Sequence, residues 1–287
     1  MWSTVASAFK LSLRHLDYLH LLLFSSGTAF ITLWAILAFQ GRLSVLLTYS
    51  KRQYLYSAFL GFLNPFLYYI VLFKAYSLLP AQEALSLNYT WPLVLVLLSV
   101  LILKQKLALG GLAALLVSFL GVIVIGARGD LDSLGFSDPY GASLAVGSSL
   151  IWASFWIFNL KDEREEVAKL SISFGFGFLY VLAVLGFGAG IERPSLPGLG
   201  AAIYSGLFEM GLTFVVWLRA LRLSASAAGV SNLVFLSPFI SLFLVQLIVG
   251  ERILLSTLVG LSLIVTGILA HKELARRRGS GSSGKQV

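Results

Sequence analysis

The sequence has no cysteine, three histidines and few charges. Without cysteine there are no disulfides, no thiolate chemistry and no cysteine-held metal. His15, His20 and His271 are scattered and share no metal-ligand spacing, so neither a metal nor another cofactor is expected. Asp, Glu, Lys and Arg make up 12% of 287 residues, about half the ~25% of an average soluble domain. A soluble core is therefore excluded. No Gly-x-Ser-x-Gly, His-Glu-x-x-His or phosphate-loop pattern occurs. The chain is read as no enzyme, with an intramembrane enzyme kept as a remote alternative.

What is present is apolar surface. Hydrophobic residues reach 58% and mean hydropathy is +0.89. Stretches free of charge run 18–41, 53–73, 84–103, 107–127, 139–160, 170–191, 223–250 and 253–270, and 194–218 is broken only by Glu209. A bilayer crossing takes about 20 such residues. Trp2–Leu13 is a tenth, shorter segment, read as a first helix cut short at its start. The expected fold class is an all-α integral membrane protein of ten transmembrane helices. Short turns between the spans make neighbours antiparallel. If the chain starts in the cytoplasm, fifteen basic residues fall on that side and six on the other, which accounts for all 21. Basic residues favour the cytoplasmic side, so both termini are placed there. The net charge of +8 then reflects topology, and nucleic-acid binding is not expected. Asp162 to Glu166 reads as a solvated loop, and the tail from 274 to 287 as a flexible linker by composition.

Polar and aromatic residues inside the spans need partners. Asn88-Tyr89-Thr90-Trp91-Pro92 opens an otherwise apolar span. It predicts a helix with a wet aromatic face, interrupted by Pro92, which frees a backbone carbonyl one turn earlier. Ser148, Trp152, Phe155, Trp156 and Asn159 step along one face of the sixth helix and predict a cavity wall. Ser57, Gly61, Asn64 and Tyr68 share a face of the third helix, where packing and cavity readings both fit, and Pro65 is a candidate kink. Glu209, flanked by Ser205 and Thr213, is the one acid deep in a span. It is a candidate coupling group or counter-charge, with a structural hydrogen bond as the alternative. Asn232, Phe235, Pro238 and Phe239 mirror the first motif in the ninth helix. Gly121, Gly126, Gly260 and Gly267 suit close packing of the fifth and tenth helices.

A shift of 146 residues lays helices three to five on helices eight to ten, pairing Pro92 with Pro238 and Gly121 with Gly267. A shift of 150 pairs Trp2 with Trp152. Five crossings per unit is odd, so the second unit must enter the membrane inverted. The domains are thus 1–128 and 139–273. Inverted repeats build transporters with a substrate site between the halves.

Ten helices in this order resemble the drug/metabolite transporter superfamily, in its two-repeat EamA branch. The Asn-Tyr-x-Trp-Pro motif at Asn88 and the start Trp2-Ser3-Thr4 resemble the YddG aromatic amino-acid exporters. The resemblance implies a cavity lined by helices 1, 3, 4, 6, 8 and 9 and braced by 5 and 10, in a bacterial inner membrane. It implies substrate contacts at Trp2, Asn88, Tyr89 and Trp91, with Trp152 as the repeat partner. Asn64, Tyr68, Trp156 and Asn159 complete the expected substrate-binding set, with Glu209 as coupling or counter-charge. The expected function is alternating-access export of amino acids, aromatic ones included. The alternative is a drug or cation exporter using Glu209. The expected partners are a small-molecule substrate and membrane lipid. Oligomeric state is left open.

Overall fold

The computed structural model describes residues 1–103, 109–127, 136–188, 190–223 and 236–283. All regular structure among them is helical. In chain order the helices are α1 (Trp2–Ser12), α2 (Tyr18–Phe39), α3 (Lys51–Leu78) and α4, in two pieces, Ala81–Asn88 and Trp91–Leu103. Next come α5 (Leu109–Ala127), α6 (Pro139–Leu160) and α7 (Glu166–Phe187). The last are α8 (Leu196–Ser205, Gly206–Gly211 and Leu212–Leu223), the described part of α9 (Ser237–Leu244 and Val245–Val249) and α10 (Leu255–Ser283). Five of them, α2, α3, α6, α7 and α8, are long and apolar enough to cross a membrane, and the others are shorter or interrupted apolar helices. The helix of α10 continues through the glycine- and serine-rich stretch that composition reads as linker.

Local signals explain the helix starts. Asp17 caps α2, accepting from the Leu19 and His20 amides at 2.8 and 3.2 Å. Ser50 and Gln53 form a reciprocal capping box at α3. Asp138 caps α6, with Pro139 in the first turn, where a missing N–H costs nothing.

Prolines act in two ways. In α3, Pro65 sits in a widened turn over Phe62–Leu67, and Asn64 leaves the helical region (φ −149°, ψ 121°). The kink is there as the sequence predicts. Pro92, by contrast, is not inside a helix. The chain turns at Tyr89 and Thr90, and a new helix starts at Trp91. Pro92 is its second residue and Pro238 the second residue of the matching start in α9, positions where the missing N–H would have had no partner. The expected freed carbonyl is therefore corrected to a helix break.

Glycines set the closest approaches. A Cβ on Gly121 would lie 2.4 Å from the Gly260 carbonyl, and one on Gly267 2.5 Å from the Ala114 carbonyl. Ser118 donates to the Ile264 carbonyl across the same seam at 3.1 Å. So α5 and α10 touch backbone to backbone, as small-residue seams allow. Gly126 meets the Phe136 ring instead. In α3, a Cβ on Gly61 would lie 2.2 Å from the Ser173 carbonyl of α7. Gly206 of α8 approaches the Ser25 carbonyl of α2 as closely, at 2.3 Å.

The packing partners come in matched sets. α2 packs on α7 and α5 on α10, while α3 packs on α6 and α7 as α8 packs on α1 and α2. α4 packs on α6 as α9 packs on α1. The outside is apolar, with Phe39 94% and Leu47 88% exposed.

Two networks tie helix ends. At the α1 end, Lys10 donates to the Tyr76 and Leu79 carbonyls at 2.8 and 2.5 Å. Arg14 donates to the Val249 carbonyl at 2.8 Å. Gly250, at φ 81°, turns the chain there as glycine permits. The Glu251 carboxylate then accepts from the Ala81 amide at 3.0 Å. Gln82 bonds the Arg252 carbonyl, the Leu254 amide and Thr257.

At the α6 end, Arg164 pairs with Asp162 at 2.6 Å, both side chains about 5% exposed. It also donates to Ser57 at 2.7 Å and lies over the Tyr49 ring. Lys169 donates to the Asn159 and Asp162 carbonyls. The run from Asp162 is thus only in part the solvated loop expected, with Glu163 exposed and the Asp162 and Arg164 side chains taken out of water. Arg164 has acceptors at Asp162 and Ser57 and the Tyr49 ring beside it, and the ion pair makes burial tolerable.

Candidate functional site

A cavity opens where α1, α3, α4, α6, α8 and α9 meet, the set implied by the resemblance. Its space for water-sized occupants is about 90 Å³. The break in α4 builds one wall. Because the helix stops at Asn88 and restarts at Trp91, Asn88, Tyr89 and Trp91 all reach the cavity. Tyr68 and Trp152 form the facing wall, their rings 4.6 Å apart and tilted by 33°. Trp2 closes the side toward α8, 5.5 Å from Trp217.

Polar groups in this wall are chained together. Tyr68 donates to Asn88 at 3.4 Å, and Asn88 donates to Ser148 of α6 at 2.8 Å. Thr90 bonds Ser149 at 3.1 Å. The Tyr89 phenol is hydrogen-bonded to Ser237, at the head of α9. Each bond joins helices from different parts of the chain, so the wall is fixed by tertiary contact.

Glu209 lines the cavity and is 8% exposed. It sits in the widened turn Gly206–Gly211 of α8. One oxygen accepts from the Tyr69 hydroxyl at 3.1 Å, and the other is buried with no hydrogen-bond partner among the described residues. Among the described residues, no lysine or arginine lines the cavity. A ligand ammonium would meet a carboxylate there, surrounded by ring faces that also attract cations.

Of the residues singled out from sequence, Trp2, Tyr68, Asn88, Tyr89, Trp91, Trp152 and Glu209 share the cavity wall. Three lie elsewhere. Trp156 stands behind Trp152 and stacks on Phe214, at 6.2 Å and 9°. Asn64 is fully buried at the α3 kink, and neither side-chain atom has a hydrogen-bond partner among the described residues. Asn159 lies at the α6 end, where its carbonyl accepts from Lys169. Asn232 and Phe235 lie outside the described residues.

Sequence reasoning missed several lining groups. Val5, Ala6 and Phe9 continue the α1 face that begins at Trp2, and Leu72 and Tyr76 continue the α3 face of Tyr68. Steps of three and four residues carry that signal. Phe214, which is packed behind the wall and does not line the cavity, was missed as well. Fully buried, it contacts Trp2, Trp152, Trp156 and Phe174. Its place five residues beyond Glu209 gave no hint of this.

The EamA-like transporter profile matches residues 1–127 and 139–270. The chain belongs to the EamA-like transporter family. It is thus a multi-pass membrane transporter for a small molecule, not an enzyme. The uncharacterized transporter YxxF of Bacillus subtilis is 24% identical over 82% of this chain and 74% of its own length. YvbV of the same organism, also an uncharacterized transporter, is 27% identical over 75% and 70%. The aromatic amino acid exporter YddG of Ancylobacter novellus is 28% identical over 52% of this chain and 53% of its own length. A crystal structure shares the fold with a TM-score of 0.68 at 22% identity, covering 96% of this chain and 94% of that one.

Proposed function

We propose that this EamA-like transporter exports amino acids, aromatic ones included, by alternating access across a bacterial inner membrane, with both termini in the cytoplasm. The observation that carries the reading is the cavity itself. It combines the ring faces of Trp2, Tyr68, Trp91 and Trp152 with one unpaired carboxylate oxygen and neutral donors at Asn88 and Ser237. The rings receive an aromatic side chain, Glu209 its ammonium, and the neutral donors its carboxylate. The relative named as an aromatic amino acid exporter adds weight to this substrate class.

Alternating access rests on two inverted five-helix units. The end of α1 meets the ends of α3 and α9 and the starts of α4 and α10. The end of α6 meets the start of α3, where Tyr56 donates to the Phe158 carbonyl at 2.8 Å. So α1 runs with α3 and α6 runs against it, the relation that inverted partner helices require. The matched packing sets support the same reading.

Flux of labelled tryptophan, phenylalanine and threonine into proteoliposomes tests it. Uptake above empty vesicles is expected, and Trp152→Ala lowers it about tenfold, in line with the loss of one aromatic contact. No flux of any of the three sinks the substrate class. A second reading, export of organic cations, is favoured by the lone carboxylate. In that case Glu209→Gln abolishes cation flux, and no amino acid is carried by the wild type.

A further inference from the structure

The α6 end carries a second hollow, separate from the central cavity. It is an open groove of about 740 Å³ between the first turns of α3 and the α6–α7 turn. Arg52, Leu55, Tyr56 and Phe59 line one side, and Lys161 and Arg164 the other. The α3 residues step by three, one and three, so they form one stripe along the helix. The stripe begins with a cation and turns apolar. Leu55 is 72% exposed, Phe59 41%, and Phe62, next along the stripe, 42%. α3 starts at Lys51, so a bilayer crossed by this span would have the cationic end at its headgroups and the apolar part toward its hydrocarbon.

The charges in the groove are unevenly matched. Asp162 is taken up by Arg164. Among the described residues, Arg52 and Lys161 have no carboxylate within 4.0 Å. Arg164 is itself 6% exposed, and its Nη1 has no hydrogen-bond partner among the described residues. A buried guanidinium nitrogen without an acceptor is costly. Only Glu163 remains on the acidic side. The groove therefore offers an anion two exposed cations without a carboxylate partner, Arg52 and Lys161, the latter over the Phe158 ring at 5.8 Å, beside an apolar track.

We propose that this groove binds an anionic phospholipid. Its phosphate lies between Arg52 and Lys161, and an acyl chain follows Leu55, Phe59 and Phe62. Basic residues at the ends of membrane helices attract such headgroups. A free phosphate would make no use of the apolar stripe, and a zwitterionic choline headgroup would bring a cation back among cations.

Thermal unfolding of the full-length protein in detergent, followed by tryptophan fluorescence, tests this with short-chain phosphatidylglycerol, phosphatidylcholine of equal chain length, and inorganic phosphate. Phosphatidylglycerol raises the midpoint saturably, and the other two do not. Arg52→Glu with Lys161→Glu leaves the unliganded midpoint in place, since both residues are exposed. It weakens the phosphatidylglycerol response on the order of tenfold or more. Leu55→Ser weakens it less. Should the double variant unfold, Arg52→Gln with Lys161→Gln takes its place. Equal stabilisation by phosphatidylcholine, or an unchanged response in the charge variants, overturns the proposal. Full stabilisation by inorganic phosphate overturns the lipid and leaves only an anion site.

Discussion

The α1 end and the α6 end of the bundle are tied by different chemistry. At the α1 end, Lys10 and Arg14 reach backbone carbonyls and Glu251 reaches backbone amides. These are the free groups that every helix leaves at its termini, and water can replace each partner. At the α6 end, the Arg164 side chain, paired with Asp162 in its own turn and taken out of water, reaches across to Ser57 of α3. Water cannot substitute there without hydrating a buried charge. The α1 end is therefore built to release in small steps and the α6 end to hold or fail as a unit. Under the alternating access proposed above, such asymmetry makes one side easier to open than the other.

Substitutions break or sharpen this contrast. Arg164→Ala has the largest effect, because it strands Asp162 without its partner. A loss of about 3–5 kcal/mol is expected in denaturant or thermal unfolding in detergent, and adding Asp162→Ala restores part of it. An effect under about 1 kcal/mol would show that the α6 end is no unit.

Lys10→Met comes next. It removes two bonds from a charged donor to the end of α3 and is expected to cost about 1.5–3 kcal/mol. It also raises the labelling rate of a cysteine placed in the cavity, measured from the α1 side. Arg14→Ala, whose bond is exposed, changes stability by less than about 0.5 kcal/mol.

Acid separates the two ends more gently. Burial opposes ionisation of Asp162, but the hydrogen bond and charge of Arg164 outweigh it and hold the carboxyl below its usual 3.8. A depressed folded value stabilises the native state above the unfolded value and is lost as pH falls through the folded one. Wild type should thus lose stability below about pH 4, and Arg164→Ala should lose less. Parallel acid curves for the two proteins would contradict the assignment.

Much of the scaffold was legible because lipid sorts residues one at a time. Charge-free stretches marked the helices, and glycine spacing marked the seam of α5 and α10. The aromatic motif at Asn88 marked the cavity. The site was legible only in part. Ser148 and Asn159 share a face of α6, yet they are about 16 Å apart along the helix. A shared face says nothing of depth, so Asn159 ended at the α6 end while Ser148 met Asn88. Pro92 was misjudged for a related reason. A proline reads alike inside a helix and in its first turn, and only the break at Tyr89 and Thr90 separates the two. Phe214 gave no signal, because its role lies in four rings brought from α1, α6 and α7.

The sequence by itself determined that this chain is a bundle of apolar helices with polar residues marooned inside it, since transfer from water to lipid is decided group by group. Only the tertiary structure decided how those residues were rescued. Glu209 found the Tyr69 hydroxyl 140 positions away, and Arg164 found Ser57 at a distance of 107. A buried polar group takes whichever partner packing brings within about 3 Å, and packing is a property of all the helices together.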